Sequence, residues 1–309
     1  MKQIIIDCDP GQDDAIALLL ALRSPDQLDV LAVTTVAGTV SEPASNRNAR
    51  KILEVLGRRD VPVHAGCGRP LVRPHVPYFA DDDGLRGVAL PEPVVQPARD
   101  HAVDALVETV RSRPSGTVTL CALGPLTNIA LALAKAPDIA ERLAGIALMG
   151  GAAGLGNMTP AAEFNVLTDP HAAAMVFASD AKLTMFGLEL CHRAVVHDDW
   201  VNKLDRLGTP PARLAAEFLR RYGTAVDGER YRVFGLPLYD ACVIGWLLAP
   251  EIFTGGRHRV EVELEGRFCQ GRTVIDLDNL TGEPPNATVM SDLDVGAFRE
   301  LLVARLGSG

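Results

Sequence analysis

Short apolar runs alternate with longer helix-periodic segments through the first two thirds of the chain. Residues 3–7 form a β-branched run that stops at Pro10-Gly11. Residues 13–23 follow, dominated by Ala and Leu, the composition of a buried helix. The same alternation predicts strands at 30–36, 61–64, 118–123, 146–149 and 183–186, and helices at 43–56, 101–111, 126–134 and 169–179. Gly57 closes one of these helices and Gly150-Gly151 one of the strands. Short strands separated by helices predict an α/β fold: an open, mostly parallel, Rossmann-like sheet with helices on both faces.

Two regions break the rhythm. Residues 68–99 are rich in Pro around Asp81-Asp82-Asp83-Gly84 and are too long for a plain connection, which predicts a flap loop. Residues 197–239 are more polar and helical, which predicts a small helical cap over the site. Residues 260–264 and 273–277 read as a late antiparallel pair. With 309 residues, 48% hydrophobic and without internal repeats, the chain is expected to form a single domain over 1–309.

Composition narrows the functional classes. The formal charge is 30 − 39 = −9, which offers no general attraction to nucleic acid or anionic lipid, so neither is expected as a partner. The apolar run after Met1 is too short for a signal peptide, and no apolar stretch reaches the ~18 residues that would span a bilayer. The six cysteines are scattered without a CxxC pair, which predicts reduced, mostly buried thiols in a cytoplasmic protein.

The chemistry concentrates in Asp7-Cys8-Asp9-Pro10-Gly11-Gln12-Asp13-Asp14, where four carboxylates lie between an apolar strand and an apolar helix. Asp7 and Asp9 share strand parity, and Asp13 and Asp14 open the helix, where its dipole favours negative charge. In open α/β sheets ligands bind beyond the carboxyl ends of the strands. One or two such residues would fit a helix cap and a solvated turn. Four repel one another unless a cation intervenes, and carboxylate oxygens suit hard cations such as calcium or magnesium. Aspartate-nucleophile phosphatases of the haloacid dehalogenase class also place Asp-x-Asp after a first strand. They resemble Asp-x-Asp-x-Thr, whereas Asp9 is followed by Pro10-Gly11 and by the extra pair Asp13-Asp14.

The segment Asp7 to Ala15 closely resembles the opening signature of the inosine–uridine-type nucleoside hydrolases. Further matches follow in order: Thr34-Thr35-Val36-Ala37-Gly38, Val61-Pro62-Val63-His64-Ala65-Gly66, Leu123-Gly124-Pro125-Leu126-Thr127-Asn128, Met149-Gly150-Gly151, Glu163-Phe164-Asn165 and Asp240. The resemblance covers nearly the whole chain.

It implies a hydrolase of the N-glycosidic bond of ribonucleosides, with a small-molecule nucleoside as substrate, Ca2+ as cofactor and a homo-oligomer, dimer or tetramer, as assembly. In this reading Asp9, Asp14, Asp240 and the carbonyl of Leu123 bind calcium, and Asp9 is also the general base. Asp13 and Asn165 hold the ribose 2′- and 3′-hydroxyls, Asn157 and Glu163 hold the 5′-hydroxyl, and Asp7 supports the cluster. Taken singly, Asn157 and Asn165 also fit turn or cap residues and Glu163 a helix-start charge. Breaking the bond builds oxocarbenium character on the sugar, which surrounding carboxylates and amides stabilise.

Three positions depart from the family pattern. Thr39 stands where many members have Asn, Ala80-Asp81 where His-Gly is usual in the flap, and Tyr239 where inosine–uridine enzymes carry a His thought to protonate the leaving base. A Tyr, with an ordinary pKa near 10, donates a proton less readily than His but stacks well on a base. The base pocket is therefore expected to involve Tyr239, Tyr231, Asp81 and His75, and base preference to lean towards purines. Trp200 and Trp246 are expected in the core or an interface. Two alternatives stay open: a hydrolase of a modified N-riboside, and a nucleoside- or ribose-binding protein with weak catalysis.

Overall fold

The computed structural model describes residues 1–78, 83–225 and 235–307, with the side chains of 223–225 excepted. Its centre is a nine-stranded sheet of β1 (Lys2–Cys8), β2 (Leu28–Thr35), β3 (Val63–His64), β4 (Val118–Ala122), β5 (Gly145–Met149), β6 (Leu183–Phe186), β9 (Phe253–Val262), β10 (Thr273–Asp276) and β11 (Ala287–Leu293). The order is β10-β9-β11-β6-β5-β4-β1-β2-β3. From β3 to β11 every neighbouring pair is parallel, and β9 and β10 add an antiparallel edge. The expected α/β architecture is thus present.

Side-chain alternation in β1 splits the core across the sheet. Ile4, Ile6 and Cys8 enter one apolar layer, and Ile5 enters the other. The first layer is covered by α1 (Gln12–Leu22) and α2 (Glu42–Val55) together with the late helices. The second is covered by α3 (Ala102–Arg111), α4 (Thr127–Lys135), the short α5 (Ile139–Arg142) and α7 (Pro170–Phe177), which follows the short α6 (Phe164–Thr168). Helix α1 is buried almost all round, since ten of its eleven residues are inaccessible. That explains why every residue of α1 after Asp14 is apolar.

The region expected as a helical cap holds α8 (Leu188–Cys191) at its entrance, then α9 (Asp198–Arg206) and α10 (Pro210–Ala225), which pack on each other. A two-stranded sheet of β7 (Val195–Val196) and β8 (Leu236–Pro237) closes its base. Then come α11 (Ala241–Leu248), which packs on α1, and the C-terminal α12 (Val295–Gly307). The late pair is antiparallel as expected, with Thr273 opposite Val262. Strand β11 was not expected, and it inserts between β9 and β6. Trp200 is buried, and Trp246 meets Phe186 edge to face at 5.8 Å, so both tryptophans belong to the core. All six cysteines are free. Among the described residues no helix is long and apolar enough to cross a membrane.

Candidate active site

Three parallel strands deliver the site. β1 lies between β2 and β4, with Cys8 opposite Thr35 and Asp7 opposite Ala122, so all three end at one edge. The chain leaving β1 places Asp9 there, as the carboxyl-end rule for open sheets requires. Its carboxylate is wedged between two glycines. A Cβ on Gly38 would stand 2.1 Å from Asp9 Oδ2, and one on Gly124 would stand 2.4 Å from Oδ1. The backbone N–H of Thr39 donates to Oδ2 at 2.5 Å.

Asp7 and Asp9 do not share a compartment, contrary to the parity reading, because β1 ends at Cys8 and the alternation stops with it. Asp7 keeps the parity of Ile5 and turns towards α4, where Thr34 Oγ1 and Asn128 Nδ2 both donate to its Oδ1, at 2.5 and 2.8 Å. Asn128 also donates to the Thr35 carbonyl and accepts from Cys67 N–H. Asp7 therefore joins β1 to β2 and α4 beneath the cavity. Burial pushes its carboxyl up to about 7 against those two hydrogen bonds.

Asp14 lies in the first turn of α1 and accepts from the backbone N–H groups of Asp9 (3.3 Å) and Gly11 (3.1 Å), which closes the turn on itself. Asp240 arrives from the far end of the chain, at the N-cap position of α11. Asp13, Asp14 and Asp240 each offer a carboxylate oxygen, all within 4.8 Å of one another. Burial and, next, the neighbouring Asp14 charge push Asp9 and Asp240 well above the usual carboxylate range. Burial and then Asp13 push Asp14 up to about 7. Buried carboxyls at this spacing ionise together only if a cation offsets their charge, and their oxygens suit a hard divalent ion. The carbonyl of Leu123 accepts from Asn165 Nδ2 at 2.8 Å, and a carbonyl retains a second lone pair.

A cavity of about 400 Å³ opens above these carboxylates. Asn157, Glu163 and Asn165 also line it. Glu163 is buried and accepts three backbone N–H groups, from Gly151, Asn165 and Val166. It therefore caps α6 and faces the cavity at once, and burial pushes its carboxyl up to about 6 against those bonds. Asn165 is fixed through Nδ2 to the carbonyls of Leu123 and Met149. Exposed Asn157 accepts from Phe164 N–H, the turn role its type also suggested. Thr39 lines the cavity beside Asp9.

Tyr239 lines the remaining wall, and its hydroxyl lies 3.3 Å from His192 Nε2. His192 follows α8, beyond the carboxyl end of β6, and was missed in the sequence; its place after a strand–turn is the signal that could have found it. Gln12 and Tyr222 also line the cavity and were equally unremarked. His75 does not line it: a ring nitrogen engages the Gly38 carbonyl at 2.9 Å, which places His75 against the loop that carries Thr39. Tyr231 and Asp81 lie outside the described residues.

Residues 4–300 match the family described as inosine-uridine preferring nucleoside hydrolase. The chain is 44% identical over 307 residues to the pyrimidine-specific ribonucleoside hydrolase RihA of Citrobacter koseri, covering 98% of this chain and 97% of that one. It is 45% identical over the same length to the enzyme of that name from Salmonella schwarzengrund, with 98% and 97% covered. Among solved structures it is similar to a plant nucleoside hydrolase, PpNRh1, with a TM-score of 0.92, 31% identity, and coverage of 100% and 99%. It is also similar to a purine-preferring ribonucleoside hydrolase from Gardnerella vaginalis, with a TM-score of 0.91, 28% identity, and coverage of 99% and 98%.

Proposed function

The chain belongs to the inosine-uridine preferring nucleoside hydrolase family and is an N-glycosyl hydrolase of ribonucleosides; from that premise we propose that it hydrolyses pyrimidine ribonucleosides to ribose and free base with calcium as cofactor. The observation that carries the proposal is the convergence of Asp9, Asp13, Asp14 and Asp240 on a cavity whose other walls hold Asn165 and Tyr239.

Asp9, Asp14, Asp240 and the Leu123 carbonyl would hold the ion. When bound, calcium supplies the positive charge that keeps the buried carboxylates ionised and makes a neighbouring water more acidic. Asp9 takes the proton from the attacking water, with its carboxylate fixed by Thr39 N–H and by the walls at Gly38 and Gly124. Asp13 and Asn165 orient the 2′- and 3′-hydroxyls, and Asn157 and Glu163 the 5′-hydroxyl. The negative charge around the sugar ring stabilises the oxocarbenium character that develops as the bond breaks. On the opposite side Tyr239 meets the leaving base, and its hydroxyl, backed by His192, hands over the proton the base needs.

The preference for pyrimidines replaces the purine leaning expected from Tyr239. Relatives at 44–45% identity over nearly the full length are named pyrimidine-specific. Tyr239 is also not a bare stacking face, because its hydroxyl is engaged by His192. Chromatography of bases released from uridine, cytidine, inosine, adenosine and nicotinamide riboside, with and without calcium, tests the proposal. Uridine and cytidine should be cleaved fastest, and only with the ion. Faster release from the purine nucleosides, or full activity after exhaustive chelation, would overturn the corresponding part.

A further inference from the structure

Gln12 is the first residue of α1 and is 3% exposed, yet neither Nε2 nor Oε1 has a hydrogen-bond partner. A carboxamide buried in this way is costly unless something satisfies it. The side chain lines the main cavity, as do Tyr222, Pro237 and Tyr239. Behind it lies a side pocket of about 10 Å³, backed by the apolar Ile16, Phe218 and Leu219. That pocket, which Asp13 and Tyr222 also line, has room for about one water. Asp13, the next residue, faces the carboxylate cluster. Gln12 and Asp13 both line the main cavity and the side pocket, beside Tyr222 of α10 and Pro237 of β8; Asp13 gives its carboxylate to the acidic cluster, which leaves the carboxamide of Gln12 as the group with no role there.

From these observations, and resting on the ribonucleoside reading above, we infer that Gln12 is a specificity residue whose carboxamide reads the amide edge of the base. A primary amide presents one N–H donor beside one carbonyl acceptor. Uracil presents the complementary pair on either side of N3, a carbonyl next to N3–H. Two parallel hydrogen bonds would then satisfy both orphan atoms of Gln12 at once. Loss of a good bidentate amide pair of this kind costs about tenfold to a hundredfold.

The test uses the full chain with calcium and compares uridine with 4-nitrophenyl β-D-ribofuranoside, whose leaving group has no N–H beside a carbonyl. Gln12→Leu and Gln12→Met should each lower the ratio of kcat/KM for uridine to that for the nitrophenyl riboside at least tenfold. Their melting temperatures should equal or exceed that of the wild type, because an unsatisfied polar group has been removed. In the wild type, 3-methyluridine, which lacks N3–H, should be cleaved at least tenfold less efficiently than uridine. This last measurement needs no variant to fold. An unchanged ratio in both variants would show that Gln12 merely holds a water, and equal cleavage of 3-methyluridine and uridine would overturn the inference as well. Failure of the wild type to release base from uridine would instead overturn the ribonucleoside reading along with it.

Discussion

The Tyr239 hydroxyl meets His192 Nε2 at 3.3 Å, with the two rings edge to face and their centroids 5.8 Å apart. A phenol alone, with a pKa near 10, is a poor acid at neutral pH, whereas an imidazole titrates close to it. In the proposed mechanism the pair would do together what a single His at position 239 would do.

Removing either half should slow departure of the base. Tyr239→Phe keeps the ring and loses the hydroxyl, and His192→Ala removes the group behind it. Each should lower kcat on uridine by about 10²-fold, the lower end for general acid catalysis, with a smaller change in KM. The nitrophenyl riboside, whose leaving group departs without protonation, should lose far less. Equal losses on both substrates in steady-state assays would assign the pair to binding.

Asp9 should be intolerant both of removal and of displacement. Asp9→Ala should lower kcat by at least about 10²-fold. Gly38→Ala should have a comparable effect without touching the carboxylate chemically, because the new methyl would fall 2.1 Å from Asp9 Oδ2 and 2.8 Å from Pro125 Cδ. Circular dichroism would verify that both variants fold, and a near-wild-type rate in either would remove the corresponding argument.

Without the ion, the acidic cluster should make the protein less stable as pH rises. Asp7 and Asp14 are held up at about 7 by burial, far above the ~3.9 of an unfolded Asp. For a raised carboxyl the native state favours the protonated form. Its contribution is fully present below about pH 4 and is lost as pH climbs through about 7. A cation reverses this by favouring the charged forms. The rise in Tm on adding calcium, measured by calorimetry, should therefore grow from pH 5 to pH 8. A rise independent of pH would separate the ion from these carboxylates.

Asn128→Ala should destabilise the fold from beneath the site. It leaves the Thr35 carbonyl and Cys67 N–H without that partner and Asp7 with one donor fewer. Buried groups left unsatisfied cost about 1–3 kcal/mol each, so a loss of about 3 kcal/mol is expected from urea titration. A loss below about 1 kcal/mol would mean that water replaces the amide.

Local pattern carried most of the fold. The alternation that marked 3–7 and 13–23 corresponds to β1 and α1, since each element announces its own periodicity. Strand β11 was hidden because its neighbours β6 and β9 come from distant parts of the chain, and nothing local marks Ala287–Leu293 as an interior strand. At the site, residue type and order pointed to Asp9, Asp14 and Asp240, and the structure brings them to one cavity. Gln12 and His192 stayed invisible for a different reason. A Gln or a His acquires meaning from the wall it joins, and that wall is made by the packing of α10, β8 and α8 around it.

The carboxylates that meet within 4.8 Å come from the two ends of the molecule, Asp13 and Asp14 from the first helix and Asp240 from a helix that docks on it late. The cradle is therefore one of the longest-range contacts of the fold: 226 positions separate Asp14 from Asp240, and the two meet only because α11 docks on α1, so loosening that helix pair far from the cavity would open the acidic cluster as surely as a substitution within it.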